Sequence, residues 1–70
     1  MYSCMRVLIN GETKELHEGF YLLQLLEHFG LPTQRIAVEL NNDVVRRKDW
    51  ESTVINDDDK LEIVHFVGGG

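Results

Sequence analysis

The stretch Phe20 to Pro32, FYLLQLLEHFGLP, is where the apolar spacing of this 70-residue chain changes from two to nearly four. Leu22, Leu25, Leu26 and Phe29 fall at i, i+3, i+4 and i+7, one face of an α-helix, with Gln24, Glu27 and His28 on the other. The start is weakly capped at Glu18-Gly19, because glycine is a middling N-cap. The end is sharper: Gly30 suits the left-handed position after a helix, and Pro32 blocks continuation. Burying these apolar side chains supplies roughly 1.5–3 kcal/mol each before entropy is counted. The remainder of the chain must provide the surface they pack on.

That surface is a sheet. Met5, Val7 and Ile9 alternate with Arg6, Leu8 and Asn10, and the β-branched residues favour a strand. Asn10-Gly11 tolerates the positive φ of a tight hairpin, and Thr13 to His17 returns as a more polar strand. After the helix, Ile36, Val38 and Leu40 share one face, Asn41-Asn42-Asp43 turns, and Val44-Val45 begins a short return strand. Arg46 to Thr53 reads as an irregular connection or a brief helical turn, with Trp50 as an apolar plug beneath it. Asn56 to Asp59 turns again, and Lys60 to Val67 forms a last strand running into Gly68-Gly69-Gly70.

The order β-β-α-β-β-β contains no repeat and no linker. One helix on a mixed sheet of four or five strands is a two-layer α+β fold. The order suits a β-grasp, in which the first and last strands lie side by side at the centre of the sheet. The expected organisation is an N-terminal extension over residues 1–4, a β-grasp domain over 5–67 and a flexible glycine tail over 68–70.

A chain of this length buries only about 60% of the surface its unfolded form exposes, which leaves little room for an internal active site. Function is expected on the surface, in a loop or at a terminus. The formal net charge of −5 disfavours nucleic acid, whose phosphates call for clustered Lys and Arg, and disfavours anionic membranes. It favours a partner with a basic face. Cys4 is the only cysteine, so neither an internal disulfide nor a cysteine-based metal or iron–sulfur site is expected. No apolar run approaches transmembrane length and no signal peptide is visible, so a cytoplasmic setting is expected.

His17, His28 and His65 have neither the close spacing of a metal site nor a cysteine partner for ligation, so no metal centre is expected. The glycine run does not sit between a strand and a helix as phosphate loops require. Ser3, Ser52 and the histidines give no nucleophile–base pattern, and Cys4 lies outside the first strand. Neither catalysis nor a bound cofactor is expected of this domain alone. Asp57-Asp58-Asp59 is too compact for a calcium loop and reads as a solvated turn, at most orienting the domain against a basic partner. Arg46-Arg47-Lys48 holds too few charges for a nucleic-acid footprint.

The last strand carries more information. If Leu61 and Ile63 face the helix, then Glu62, Val64 and Phe66 face the uncovered side of the sheet. Val64, Phe66 and Val67 then form a candidate partner-binding surface leading into the tail. A C-terminal carboxylate is anionic near neutral pH and becomes an electrophile only when activated, for example as an acyl adenylate. Gly70 offers no side chain to hinder attack on that carbonyl, and Gly68 and Gly69 suit a channel too narrow for a Cβ. The extended stretch from His65 to Gly70 reaches roughly 20 Å.

Over Met5 to Gly70 the chain resembles the ThiS family of sulfur carriers of thiamin thiazole biosynthesis, above all in VELNNDVVRRKDW (Val38 to Trp50) and DKLEIVHFVGGG (Asp59 to Gly70). The resemblance implies that an E1-like adenylyltransferase of the ThiF type uses ATP to adenylate the Gly70 carboxylate. A sulfur donor such as a cysteine desulfurase then leads to a thiocarboxylate, which delivers sulfur to a thiazole synthase of the ThiG type. By that resemblance the carrier itself catalyses nothing. Molybdopterin-synthase small subunits share the Gly-Gly ending but usually carry Pro-Pro where this chain has Val64-His65-Phe66. A ubiquitin-like modifier would spend the same activated carboxylate on a lysine, and a pure interaction domain would leave its terminus inert.

Overall fold

The computed structural model describes residues 4–17 and 19–66. β1 (Met5–Ile9) and β2 (Glu12–Leu16) form a hairpin, followed by α1 (Leu22–His28), β3 (Ile36–Leu40), β4 (Asp43–Val45), a 3-10 turn (Arg47–Asp49) and β5 (Lys60–His65). The strands form one sheet in the order β2-β1-β5-β3-β4. β1 and β5 run parallel, and the other neighbours are antiparallel. This is the expected α+β architecture, with the first and last strands adjacent at the centre. Residues 1–3 of the expected extension, Val67 at the expected end of the domain and Gly68 to Gly70 of the expected tail lie outside the described residues.

Both hairpins close through two-residue turns whose central residues have positive φ: Asn10 (50°) with Gly11 (84°), and Asn41 (52°) with Asn42 (75°). That geometry twists in the sense of the flanking strands, which is why Asn and Gly stand there. It sets the register, with Ile9 opposite Glu12 and Leu40 opposite Asp43. Val7, Ile9, Leu16, Ile36, Val38 and Leu61 consequently point to one side of the sheet and are buried against Leu22, Leu25 and Leu26 of the helix.

The helix is shorter than its periodicity predicts. Phe20 and Tyr21 are extended: Tyr21 bridges to Val54, Leu22 N–H donates to Thr53 O (2.7 Å) and Ile55 N–H donates to Phe20 O (2.9 Å). Pairing with residues 53–55 displaces the first helical turn, so Tyr21 is the N-cap rather than Glu18-Gly19. Its free N–H donates to Gln24 Oε1 at 2.9 Å. At the other end, Gly30 (φ 67°) donates its N–H to Glu27 O (3.1 Å) and Leu31 donates to Leu26 O (2.8 Å). Those two bonds are a Schellman cap, which satisfies carbonyls the helix would leave bare.

Two loops act as structural parts rather than solvated connections. Trp50 is buried and its Nε1–H donates to Val45 O at 3.0 Å, pinning the loop to β4 as the plug reading expects. The aspartate turn departs from the sequence reading. Asp59 is only 9% exposed, and its carboxylate accepts from Asn41 Nδ2 (2.9 Å) and from the Asn56 N–H (2.7 Å). Asp57 Oδ1 accepts from the Arg6 N–H (2.8 Å), while the Asp58 N–H donates to Arg6 O (2.7 Å). The turn thus covers polar backbone of β1 ahead of the start of β5, work that a run of three like charges does not advertise.

Leu25 is fully buried under the sheet. Leu25→Ala is expected to cost about 2–5 kcal/mol, read as a lower urea midpoint with an unchanged slope. Asp59→Ala leaves the Asn56 N–H and the Asn41 amide without an acceptor, and a loss of about 1–3 kcal/mol is expected in the same measurement.

Candidate functional site

The site is built around the end of β5. This strand is the middle of five, and the helix covers only one of its faces. Leu61 is fully buried, whereas Val64 and Phe66 are 54% and 56% exposed. Alternation along the strand places Glu62 and Val64 on the open face, as predicted, and Phe66 follows two residues beyond Val64.

The two neighbours of β5 hold it unequally. β3 pairs along it from Leu40–Leu61 to Ile36–His65, and the Phe66 N–H then donates to Arg35 O at 2.8 Å. Arg35 adopts a left-handed φ of 59°, an unfavourable conformation for a side chain that bears a Cβ. β1 pairs only at Leu8–Lys60 and Ile9–Leu61 before it turns away. The Asn10 side chain carries the contact one step further. Its Oδ1 accepts from the Ile63 N–H (2.7 Å) and its Nδ2 donates to Ile63 O (3.2 Å). Asn10 therefore serves two roles, as the first residue of a tight turn and as a substitute strand.

On the open face the register sets Ala37 beside Val64, Glu39 beside Glu62, and Glu39 beside Val44, which is 68% exposed. Two carboxylates thus stand directly across from each other, between exposed valines. Among the described residues neither has a hydrogen-bond or ion partner; the one ion pair there is Lys14–Glu12 at 3.3 Å. Like charges opposite each other weaken a sheet. The face offers an apolar anchor and an unneutralised acidic pair at the root of the tail.

Of the residues singled out from sequence, Val64 and Phe66 lie at this exit, whereas Val67, Gly68, Gly69 and Gly70 lie outside the described residues. The histidines are dispersed: His28 packs between the rings of Phe20 (4.9 Å) and Phe29 (4.8 Å), His65 ends β5, and His17 follows β2. His17 does meet a cysteine, because Cys4 Sγ lies 3.9 Å from its Nδ1. Sequence reasoning passed over Asn10 and Glu39. The first was read as a turn residue alone, and the second becomes conspicuous only once β3 and β5 are placed side by side.

A mixed five-stranded sheet against one helix, with the chain leaving along the middle strand, defines a ubiquitin-like β-grasp domain. The chain belongs to the ThiS family, whose model matches residues 7–70. It is 37% identical over 63 residues to the sulfur carrier protein ThiS of Bacillus subtilis, covering 89% of this chain and 96% of that one. The crystal structure of the thiamine biosynthesis protein ThiS from Geobacter metallireducens superposes with a TM-score of 0.83 at 29% identity, covering 94% of this chain and 100% of that one. A thiazole synthase of Paramagnetospirillum magneticum is 38% identical over 66 residues, 94% of this chain. The chain spans about a fifth of the length of the thiazole synthases that it matches. Among the described residues no helix is long and apolar enough to cross a membrane.

The unneutralised acidic pair makes a stability prediction of its own. Glu39→Gln removes the repulsion while keeping the shape, and a gain of about 0.2–1 kcal/mol is expected from urea melts. The gain should shrink as salt is added.

Proposed function

We propose that the chain is a cytoplasmic sulfur carrier of thiamin thiazole formation, with the C-terminal carboxylate of Gly70 as its reactive group. The observation that carries the reading is the exit of β5. A middle strand, fixed from the β3 side, presents exposed Val64 and Phe66 shortly ahead of Val67 and the glycines in the sequence. Membership of the ThiS family, and relatives named as sulfur carrier ThiS, support it.

In this reading an E1-like, ThiF-type enzyme docks on the open face through Val64, Phe66 and Val67, with a basic group answering Glu39 and Glu62. Gly68 and Gly69 thread its active site without a Cβ to obstruct them. The carboxylate attacks the α-phosphorus of ATP and pyrophosphate departs, giving an acyl adenylate. A sulfur nucleophile then adds to the carbonyl and AMP leaves. When that nucleophile is a persulfide raised by a cysteine desulfurase, a thiol reduces the resulting acyl disulfide and frees the thiocarboxylate. The partner that accepts the sulfur is a ThiG-type thiazole synthase, a reading supported by the match of this domain within proteins of that name. ATP belongs to the activating enzyme; the carrier supplies the handle and the acyl group and catalyses no step.

The test is the intact mass of the 70-residue chain after incubation with a ThiF-type enzyme, ATP and sulfide. Replacement of one oxygen by sulfur, abolished by deletion of Gly69-Gly70, is the expected result. An unmodified mass beside an enzyme that is active on its own carrier would overturn the reading, and a lysine conjugate would reassign the chain to the modifiers. Val64→Asp with Phe66→Asp is expected to lower kcat/KM for adenylation by about tenfold or more, as loss of an apolar anchor does.

A further inference from the structure

The far end of the first hairpin carries a second constellation. The β1–β2 register pairs Met5 with Leu16 and Arg6 with Glu15. One step beyond the last pair, the same register sets Cys4 opposite His17. Leu16 is buried toward the helix, so Glu15 and His17, at its two sides, emerge on the open face together with Cys4. Cys4 Sγ lies 3.9 Å from Glu15 Oε1 and 3.9 Å from His17 Nδ1, and one ligand atom from each residue falls within 4.8 Å of the others.

We propose that Cys4, Glu15 and His17 form a three-ligand site for a thiophilic divalent cation of the Zn2+ class. Tetrahedral zinc takes sulfur at about 2.3 Å and imidazole nitrogen or carboxylate oxygen at about 2.0–2.2 Å. Those bond lengths put a sulfur roughly 3.5 Å from its nitrogen or oxygen co-ligand. The two spacings to Cys4 exceed that by a few tenths of an ångström, within reach of small χ rotations. All the side chains are exposed, so a cation enters without opening the fold. Glu15 is not engaged by Arg6, which stands opposite it, since the ion pair among the described residues lies elsewhere. A thiolate with an imidazole selects Zn2+ or Co2+ over Mg2+ or Ca2+, which prefer all-oxygen shells. Three protein ligands leave the fourth position to solvent.

The structure explains why the sequence reading found no such site. The ligands are separated along the chain by a whole hairpin, and only the antiparallel register brings them together. The site lies at the opposite end of β1 from Asn10, away from the exit of β5, so loading it leaves the proposed acyl transfer unobstructed.

The test uses the full chain in a metal-free buffer with a non-thiol reductant. One equivalent of Co2+ is expected to give a thiolate-to-cobalt charge-transfer band with tetrahedral d–d absorption, displaced by Zn2+. Competition with a chromogenic chelator should give one Zn2+ per chain. Cys4→Ser should remove the charge-transfer band, and His17→Ala and Glu15→Gln should each weaken Zn2+ binding by about tenfold or more. Zn2+ should raise the melting temperature of the parent chain but not that of Cys4→Ser, whose far-UV circular dichroism verifies that it remains folded. Absence of the charge-transfer band at one equivalent, or equal Zn2+ affinity in the parent and Cys4→Ser, overturns the proposal. Binding that survives Cys4→Ser but falls with His28→Ala or His65→Ala assigns the metal elsewhere and overturns it as well.

Discussion

The fold depends on a short seam between the two ends of the chain. β1 and β5 run side by side with only two residue pairs in register. Parallel neighbours of this kind are closed by contacts across almost the whole sequence, so closing them carries the largest loop entropy in the molecule. Side chains lengthen the seam where the backbone alone falls short. Asn10 binds Ile63 from one end, and Asp57 with the Asp58 N–H binds Arg6 from the other, over sequence separations of 53 and 51 residues. Everything between these residues is a long excursion that returns to the same line, with the helix packed over it.

That seam also explains the uneven grip on the exit strand. The Asn10-Gly11 turn must bend away for β2 to pair with β1, so β1 cannot follow β5 beyond Ile63. β3 faces no such demand and stays paired through His65. A strand held firmly on one side keeps its direction, while its other side and open face stay accessible to a partner. Val64 and Phe66 are exposed here because a sheet with one helix has one uncovered face, and the strand end passes along it. Among the described residues the single helix lies on the other face, and no element covers this one.

Much of this was legible from residue order. The change of period at Leu22 announced the helix, Asn10-Gly11 and Asn41-Asn42 announced the hairpins, and alternation in β5 separated Leu61 from Val64. What escaped was whatever depends on tertiary pairing. The helix lost its first turn because Phe20 and Tyr21 pair with residues 53–55, a competition invisible to periodicity. The aspartate run looked solvated because composition cannot reveal that Asp59 turns inward to Asn41 and Asn56. Glu39 and Glu62 are ordinary strand residues until register sets them face to face.

Cys4 and His17 were within reach of simple counting. Once the hairpin turn is placed at Asn10-Gly11, an antiparallel ladder extended one step past Met5 and Leu16 pairs them. Motif reading searches for ligands close along the chain, whereas a hairpin offers ligands close across it, with i and i+2 on the returning strand completing a triangle. The same turn therefore organises both ends of the sheet. At its tip, Asn10 steadies the strand that leads to the glycines; at its open end, the register gathers a thiol, a carboxylate and an imidazole. One two-residue turn of defined handedness connects the geometry of two sites that share no residue.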